Sequence, residues 1–485
     1  MNNNTKVILF ILLAVYAILG LIHCSNQGFW HDEIYTLTFL KGISAYNFEG
    51  STLYSMNHEF HIQFLKNLFQ KDNFITNFPI QILHEGHPPL YFLILKPWAI
   101  LFGYSELSLR SFSLLSGLLS TLVLFFTIKD NFKGKYIPWV ILLLIIFNPF
   151  LFYFFTEARM YAFAFLMATL SFKYWLKYLN NKVFNSYHFF IFTLCSAALL
   201  YTHYYGLFFI LTLVFLDFIK NGFSYKLFHY SIPILIFLPW SIMLKAQLGY
   251  HDIHWTDGAF SFIDSLKGFG YNIINLFFSP MSEIKVYELV FAILMTISLF
   301  IFGRHSWRNI LAFLSVLFFY FFQIFLFDQI FDHHTIIVPR YYIFIIILIL
   351  WAIIESIHNG HKVFGITLMI SYCLIAGNAT YEIYSSSRAP KQMYQELAAY
   401  IDSGHDPKNT LIVVEPKGAM LWGLANYLKG DYSIISAKDY KTISNNKKVV
   451  FVDEMLGVGF REGNLNNEEQ QKLNLVPFVG VFLYE

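Results

Sequence analysis

Charged residues are scarce in this sequence. Only 13% of its 485 residues are Asp, Glu, Lys or Arg, whereas soluble domains carry about 25%. This shortage excludes an ordinary soluble enzyme, and a net charge of +2 without a basic patch gives no indication of a nucleic-acid partner. The three cysteines, Cys24, Cys195 and Cys373, have no spacing that indicates a disulfide framework or a metal site. The sequence also lacks internal repeats and low-complexity linkers.

Apolar residues take the place of the missing charge. They make up 56% of the chain, and aromatic residues alone make up 20%. A membrane-spanning helix needs about 20 mostly apolar residues. Eleven segments have this character, near 7–23, 109–128, 138–155, 160–178, 187–203, 206–220, 229–245, 287–303, 310–327, 341–357 and 363–380. We therefore predict an α-helical polytopic membrane protein with about eleven transmembrane helices.

Lysine and arginine in the short connections predict the orientation of these helices, because such residues are enriched in cytoplasmic loops. With a cytoplasmic N-terminus, the inner connections contain Lys129, Lys133, Lys135, Lys173, Lys177, Lys182, Lys220, Lys226, Arg304, Arg308 and Lys362. The short outer connections near 156–159 and 204–206 hold a single arginine. We expect a multi-pass membrane protein with the end of its first span on the extracytoplasmic side.

The apolar stretch from Pro88 to Phe102 is not counted among the eleven spans. It is short, opens with two prolines and ends at Gly103, which is typical of a helix that lies in the membrane interface. A full crossing there would place the later lysine clusters outside. The first outer loop then covers about 24–108 and carries two or three amphipathic helices, and further outer loops cover about 246–286 and 328–340.

The composition changes after residue 380, where charged residues become frequent. Short β-like runs alternate there with apolar helical patterns. The β-like runs are 411–414, 449–452 and 478–484, and the helical patterns are 391–401 and 418–428. This alternation predicts a small α/β domain. We therefore divide the chain into a transmembrane domain, 1–380, and an extracytoplasmic domain, 381–485.

Two adjacent carboxylates, Asp32 and Glu33, follow the first span almost at once. Ionised groups beside hydrocarbon are costly, and the default interpretation of such residues is functional. A solvated helix cap or a topology marker is the alternative. We predict Asp32 and Glu33 as catalytic residues, and Trp30 and His31, which precede them, as substrate-binding residues.

Other polar motifs recur at the predicted outer ends of spans. They are centred on His87, Arg110, Arg159 and Arg340, with His203 and Tyr204 as a weaker member. A transported solute would instead require polar groups at mid-membrane depth. Arginine binds phosphate through two parallel hydrogen bonds, and a carboxylate can accept a proton from an attacking hydroxyl. Together these groups suit an anionic lipid headgroup and general-base chemistry.

The ordered set of motifs resembles a known family. It comprises Phe-Trp-His-Asp-Glu at 29–33, His-Pro-Pro-Leu-Tyr at 87–91, Leu-Arg at 109–110, Glu-Ala-Arg-Met-Tyr at 157–161, Thr-His-Tyr-Tyr at 202–205 and Arg-Tyr at 340–341. This set, which covers about 1–380, resembles the protein O-mannosyltransferase-like bacterial glycosyltransferases of family 39. They belong to the C-type (GT-C) integral-membrane superfamily, to which the lipid A aminoarabinose transferase is related. The C-terminal region resembles the periplasmic domain of that transferase only in placement and size.

The resemblance implies an inverting transfer of a sugar from a polyprenyl-phosphate donor to an acceptor hydroxyl on the extracytoplasmic face. It favours Asp32 over Glu33 as the general base, because the leading acid of the family aligns with Asp32. Where the aminoarabinose enzymes carry Lys-Pro, this chain has His87-Pro88, as the mannosyltransferases do, which leaves the donor open between hexose and pentose. The expected partners are the lipid-linked donor, a lipid, protein or glycan acceptor and membrane lipids.

The other site residues follow from the phosphate leaving group, on which charge accumulates in the transition state. Fixed positive groups stabilise such charge much as an oxyanion hole does. We assign this role to Arg110, Arg159 and Arg340, helped by His87, although arginine at a span end also snorkels towards headgroups. Glu157 either holds Arg159, binds sugar hydroxyls or forms a plain ion pair at the helix end.

Aromatic residues complete the predicted site. Tyr91, Tyr161 and Tyr204, with Trp30, stack on the sugar or line a lipid groove, or they belong to an interfacial aromatic belt. No cofactor is expected because three arginines make a metal less necessary, although His31 with the acidic pair, or the run 332–334, contains ligand-type side chains. The rival functions are a transporter or flippase, a ligase that moves a whole glycan, and a structural role.

Overall fold

The computed structural model describes residues 3–43, 60–180, 186–224, 226–250, 258–280, 284–302, 307–360, 362–385, 387, 393–414, 418–436, 447–453, 475–478 and 481–484. The chain forms two compact units. The first comprises Met1–His23, Gly86–Ile94 and Arg110–Ala389, and the second comprises Cys24–Glu85, Leu95–Leu109 and Pro390–Glu485. Most of the predicted first outer loop therefore belongs to the same unit as the C-terminal region.

Helices dominate the described residues. The α-helices are α1 (Asn3–Asn26), α2 (His31–Lys41), α3 (Ile62–Gln70), α4 (Phe74–His84), α5 (Leu90–Phe102), α6 (Glu106–Asn131), α7 (Ile137–Ile146), α8 (Pro149–Phe155), α9 (Tyr161–Asn180), α10 (Ser186–Leu200), α11 (Gly206–Asn221), α12 (Lys226–His229), α13 (Ser231–Phe237), α14 (Ser241–Tyr250), α15 (Phe262–Phe278), α16 (Val286–Phe302), α17 (Trp307–Phe331), α18 (Ile346–Asn359), α19 (Lys362–Tyr384), α20 (Met393–Gly404) and α21 (Gly418–Tyr427). Short 3-10 helices cover Leu238–Trp240, Thr335–Ile337, Pro339–Tyr342 and Pro407–Asn409.

Each of the eleven predicted spans coincides with helical structure, which confirms the polytopic α-helical class. Among the described residues, five helices are long and apolar enough to cross a membrane by themselves: Lys6–Asn26, Glu106–Asn131, Leu227–Gln247, Asn309–Phe331 and Val363–Tyr384. The pair α7 and α8 adds a sixth if it counts as one span. The helices α10, α16 and α18 are apolar but shorter, with 14 to 17 residues each. Lys182 and Arg304, which helped to predict the orientation, lie outside the described residues.

The predicted span 138–155 is bent. The helices α7 and α8 meet at an angle of 66°. Pro149 disfavours helical backbone at the residue before it, and Asn148 instead caps α8 by accepting a hydrogen bond from the Leu151 N–H at 2.7 Å. The Asn148 side chain also donates to the Leu276 carbonyl at 2.9 Å. Asn148 therefore holds the bend through hydrogen bonds to α8 and to the Leu276 carbonyl of the helix Phe262–Phe278.

The helix α15 corrects the prediction of a loop at 246–286. Ser261 caps this helix by accepting from the Asp264 N–H at 3.2 Å. Four buried residues, Ser265, Phe269, Asn272 and Leu276, recur every three or four positions and form one face. Because serine and asparagine alternate with phenylalanine and leucine on that face, mean hydropathy alone does not reveal the helix.

The second unit contains a six-stranded sheet with strand order β1-β3-β2-β4-β6-β5. The strands are β1 (Phe60–His61), β2 (Thr410–Val414), β3 (Ser433–Ser436), β4 (Lys448–Asp453), β5 (Leu475–Phe478) and β6 (Val481–Tyr484). The pairs β2–β3 and β2–β4 are parallel, and the other pairs are antiparallel. With the helices α20 and α21, this sheet confirms the predicted α/β region.

Two details of the second unit differ from the prediction. The run 478–484 forms two antiparallel strands rather than one, with residues 479–480 outside the described part of the chain. The strands β1 and β3 were not predicted. The first outer loop also contains four helices, α2 to α5, instead of two or three. The helix α5 has 13 residues, in agreement with a helix too short for a full crossing.

The helices of the first outer loop pack against the C-terminal helices within the second unit. Residues of α2 and of α3 contact α21. Trp422 of α21 is buried, and its ring meets the edge of Phe69 of α3 with centroids 5.0 Å apart. Most of α2 is buried, including Glu33 and the run from Thr36 to Leu40. The second unit therefore shares one core between segments far apart in sequence.

A buried lysine on α5 ties three parts of the second unit together. The Lys96 ammonium donates to both carboxylate oxygens of Asp72 at 2.7 and 2.8 Å, to the Leu40 carbonyl at 2.7 Å and to the Tyr104 hydroxyl at 2.8 Å. Partial burial raises the pKa of Asp72, but the Lys96 ammonium and the Phe74 N–H hold it below its ordinary value. The contribution of Asp72 to stability is therefore present at neutral pH and is lost as pH falls through this lowered pKa.

The substitution Lys96→Met should destabilise the second unit. Methionine keeps the apolar stem but removes the ammonium, so Asp72 and the Leu40 carbonyl lose their donor. Because the Asp72 side chain is 50% exposed, we expect the free energy of unfolding to fall by only about 1–3 kcal/mol. Thermal or denaturant unfolding of the purified protein measures this loss. The exposed Lys71→Met is the matched control, and an equal effect of both variants would contradict the assignment.

Candidate functional site

The predicted acidic pair lies in the first turn of α2, within the second unit. Glu33 is fully buried, and its carboxylate accepts a hydrogen bond from the Trp30 N–H at 3.2 Å. It therefore closes the N-terminus of α2 as the return arm of a capping box. Asp32 is half-buried, as are Trp30 and His31. The structure thus gives the two adjacent carboxylates different environments, with Asp32 the more accessible.

The other predicted site residues belong to the first unit, and four of them come together. His203 lies in the turn between α10 and α11, and its ring centroid is 5.5 Å from that of His87. The Arg159 guanidinium lies 3.5 Å from Nδ1 of His87. His203 also lies 5.8 Å from Tyr341, the residue after Arg340. These residues come from four connections that are distant in sequence, and we call them the anion cluster: His87, Arg159, His203 and Arg340.

Burial, together with the neighbouring cationic groups, favours the neutral form of His203. Burial first, and then the neighbouring His87, Arg340 and Arg159, lower the pKa of the His203 imidazole well below its usual value. Its Nδ1 accepts a hydrogen bond from the Tyr205 N–H at 3.2 Å, so the proton of the neutral ring is on Nε2. Within the described part of the chain, Nε2 is buried and has no hydrogen-bond partner. His203 is therefore a neutral donor surrounded by cationic groups.

The backbone around His87 is fixed from two sides. The Leu90 N–H at the start of α5 donates to the Tyr201 carbonyl at 2.9 Å, which links the His87 connection to the His203 turn. The Gln247 side chain of α14 reaches the His87 carbonyl at 3.5 Å, and it accepts a hydrogen bond from the Tyr204 hydroxyl. The position of His87 is therefore determined by the turn between α10 and α11 and by α14.

Arg340 is positioned by a network of buried hydroxyls. It lies in the 3-10 helix Pro339–Tyr342, and the following ring, Tyr341, stacks on Tyr205 with centroids 4.3 Å apart. The Tyr205 hydroxyl donates to Thr335, whose hydroxyl donates to the Asp328 carboxylate at 2.6 Å. This series of contacts runs from the end of α17 to the His203 turn. It keeps Arg340 on the same side as the other members of the cluster.

Four further predicted residues surround the cluster or lie deeper. Tyr161, at the start of α9, has its ring 5.7 Å from His203. Glu157 is fully buried in the same connection as Arg159. Arg110 is buried on α6, where Ser113, one turn later, reaches the Arg159 carbonyl at 3.4 Å. Tyr91 is fully buried, and its ring packs against Phe92 and Phe112, so it forms part of the aromatic core.

Two residues of the site were not predicted from the sequence. Gln247 is 2% exposed and joins Tyr204 to the His87 backbone, and the Trp240 indole donates to the Tyr204 hydroxyl at 3.0 Å. One signal pointed to Gln247, because it follows the predicted span 229–245 at the outer end, where the other motifs also lie. Trp240 lies inside an apolar run and gave no such signal.

The ligand-type side chains of the run 332–334 contact the segment around Gly258. Asp332 accepts a hydrogen bond from the Ala259 N–H at 3.0 Å, and the ring of His334 stacks on Phe260 with centroids 4.9 Å apart. Among the described residues, no three His, Cys, Asp or Glu side chains are grouped so that they could hold a metal ion. The run 332–334 therefore serves to hold the segment that begins at Gly258.

Comparisons with known proteins give similarity to solved structures only. No protein-family model and no curated protein matches the sequence. ArnT from Cupriavidus metallidurans bound to undecaprenyl phosphate is 11% identical with a TM-score of 0.45, over 100% of this chain and 98% of that one. The apo state of that protein is also 11% identical, with a TM-score of 0.46 and the same coverage of both chains. The oligosaccharyltransferase AglB from Archaeoglobus fulgidus, in complex with an inhibitory peptide and a dolichol-phosphate, gives 11% and 0.44 over 100% of this chain and 75% of that one.

The substitution Gln247→Leu should loosen the site. Leucine has a similar size but neither donates to the His87 carbonyl nor accepts from Tyr204, which leaves two polar groups short of a partner in a buried place. We expect the free energy of unfolding to fall by about 1–3 kcal/mol, measured by thermal unfolding of the purified protein. The exposed Gln70→Leu serves as the control. If both variants unfold like the unchanged chain, Gln247 does not hold the site together.

Proposed function

We propose that this chain transfers a sugar from a polyprenyl-phosphate-linked donor to an acceptor hydroxyl at the extracytoplasmic face of the bacterial inner membrane, with inversion. One observation carries the proposal. Two arginines and two histidines from four connections lie together in a helical membrane protein, and the buried Nε2 of His203 has no hydrogen-bond partner within the described residues. A phosphate group carries the negative charge and the acceptor oxygens that guanidinium and imidazole N–H groups bind.

The attachment of the phosphate to a lipid follows from the setting. The anion cluster lies in the connections between apolar helices, several of which can cross a membrane. A free phosphate would not need a binding site at the ends of membrane helices. A phosphate on a long prenyl chain must stay at the boundary between hydrocarbon and water. The sequence motifs that resemble those of the family 39 glycosyltransferases support the same donor.

Asp32 is the proposed general base. A base must exchange protons with its substrate, and half-buried Asp32 can do so. Glu33 is less suited to this role because it is fully buried and caps α2 through the Trp30 N–H. The structure therefore supports, by an independent argument, the preference that the sequence motif gave. Glu33 becomes a residue that holds the first turn of α2 in place.

The proposed reaction is a single displacement. The acceptor oxygen forms a bond to the anomeric carbon while the bond from that carbon to the phosphate oxygen breaks. The acceptor proton passes to the Asp32 carboxylate, and the bonding electron pair leaves with the polyprenyl phosphate. Arg159 and Arg340 stabilise the growing negative charge, His203 donates one neutral hydrogen bond, and His87 supports Arg159. In this scheme the arginines supply the charge that a divalent metal would otherwise supply.

The substitution Asp32→Asn should abolish transfer. The amide keeps the size of the side chain but cannot accept the proton, and loss of a general base slows such reactions by roughly 10²–10⁴-fold. The measurement is mass analysis of glycans and glycolipids from cells that lack the chain and are complemented with each variant. Glu33→Gln loses the same charge one residue away and is the matched control. Full product with Asp32→Asn, or a larger loss with Glu33→Gln, would refute the role of Asp32.

The substitution Arg340→Ala should weaken lipid-phosphate binding. Loss of a charge-assisted hydrogen bond corresponds to roughly a 10- to 100-fold change in the dissociation constant. Undecaprenyl phosphate is the probe, and its affinity is measured with the purified full-length protein. Arg340→Lys keeps the positive charge but lacks the planar guanidinium. Its affinity for undecaprenyl phosphate should lie between that of Arg340→Ala and that of the unchanged chain. The exposed Lys429→Ala is the control. Unchanged affinity in Arg340→Ala would remove this residue from the phosphate site.

A further inference from the structure

The segment that carries Asp32 is held by helices of the C-terminal region, within the second unit. The Phe29 N–H donates to the Tyr427 hydroxyl at 2.5 Å. That hydroxyl in turn donates to the Glu106 carboxylate. Two residues after Phe29, Nδ1 of the His31 ring lies 3.3 Å from the Tyr394 hydroxyl. Two tyrosines, from α21 and α20, therefore contact Phe29 and His31, which precede the acidic pair.

The contact is too close for a larger side chain at Gly28. A Cβ atom built there would lie 2.8 Å from Cβ of Gln395 and 3.1 Å from the Tyr427 hydroxyl. The backbone before α2 therefore lies directly on α20 and on the end of α21. This contact restricts the backbone at Gly28 directly, because the backbone cannot move closer to Gln395 or Tyr427 without a steric clash.

The two tyrosines are themselves rigidly placed. Tyr394 is fully buried, and Gly423 of α21 packs against its ring. Tyr427 is the last residue of α21, whose residues Met420, Trp422 and Leu424 are buried. The Tyr427 hydroxyl uses both of its functions, since it accepts from Phe29 and donates to Glu106. A hydroxyl that is engaged on both sides has one orientation, and this orientation is transmitted to the Phe29 amide.

We propose that Tyr427, oriented by Glu106, and Tyr394 are positioning residues for Asp32. This inference rests on the proposed function, in which Asp32 is the base. The C-terminal α/β region would then contribute directly to transfer by fixing the direction from which α2 begins, three residues before the base. It does so without touching the sugar or the phosphate. A misplacement of about 1 Å in a reacting group can cost roughly 10²-fold in rate, so even a small shift of this segment matters.

The test uses the full-length protein with four single variants and the double variant that combines Tyr427→Phe with Glu106→Ala. Tyr427→Phe removes only the hydroxyl, Glu106→Ala removes its acceptor, and Glu106→Gln retains an acceptor oxygen. Tyr432→Phe is the matched control, because the buried Tyr432 hydroxyl donates to the Ile401 and His405 carbonyls of the same region without contacting the Asp32 segment. The readouts are the rate of product accumulation in complemented cells, the affinity for undecaprenyl phosphate, and hydrogen exchange of the backbone amides at 28–36.

We expect Tyr427→Phe and Glu106→Ala each to slow product formation by roughly 10- to 100-fold. Both should accelerate hydrogen exchange at 28–36 and leave the affinity for undecaprenyl phosphate unchanged. The double variant should be no slower than either single variant, because both changes act through one hydroxyl. Glu106→Gln should lie between Glu106→Ala and the unchanged chain, and Tyr432→Phe should match the unchanged chain in all three readouts.

Two results would overturn the inference. The first is a normal rate in Tyr427→Phe, provided that Asp32→Asn is inactive in the same cells. The second is additive losses in the double variant, which would mean that Tyr427 and Glu106 act separately. If instead Asp32→Asn remains active while exchange at 28–36 still responds to Tyr427→Phe, the proposed function fails but the contact itself stands. If Tyr427→Phe does not fold, the comparison of Glu106→Ala with Glu106→Gln tests the inference by itself.

Discussion

Removing charge from water is the constraint on which this structure depends. A charged side chain that is buried must find partners inside the protein, or its burial is costly. Lys96 satisfies this rule completely, with Asp72, Leu40 and Tyr104 around its ammonium. In the anion cluster, the buried Nε2–H of His203 has no hydrogen-bond partner within the described residues. In the proposed function, a phosphate oxygen of the donor supplies this partner.

The same constraint explains why adjacent carboxylates differ. Successive residues of an α-helix point about 100° apart, because one turn contains about 3.6 residues. Glu33 therefore faces the interior and closes the helix end, while Asp32 keeps contact with the surroundings. A sequence can show that two acids are adjacent at the end of a membrane span. Only the start of α2, and hence its rotation, determines which of them is accessible.

Hydropathy predicted the helices of the first unit because apolar residues in a membrane protein reflect their surroundings directly. The connections with His87, Arg159, His203 and Arg340 were predictable for a related reason, since polar motifs stand out between long apolar runs and ionised groups beside hydrocarbon are costly. The sequence could not reveal Trp240, which looks like any other interfacial aromatic residue, nor β1, which is only two residues long. The helix α15 was missed because its buried face includes serine and asparagine. These features depend on partners distant in the chain.

The two-residue strand β1 has a consequence for the order in which the protein is made. Phe60 pairs with Ile434, so 374 residues separate the two partners. At a synthesis rate of about 5–20 residues per second, β1 waits roughly 19–75 s before its partner exists. The intervening membrane helices are all synthesised within this interval. The strand β6, which pairs with β4, comes later still. The loop that carries α2 to α4 thus gains its partners in the C-terminal region only after the intervening membrane helices have been synthesised.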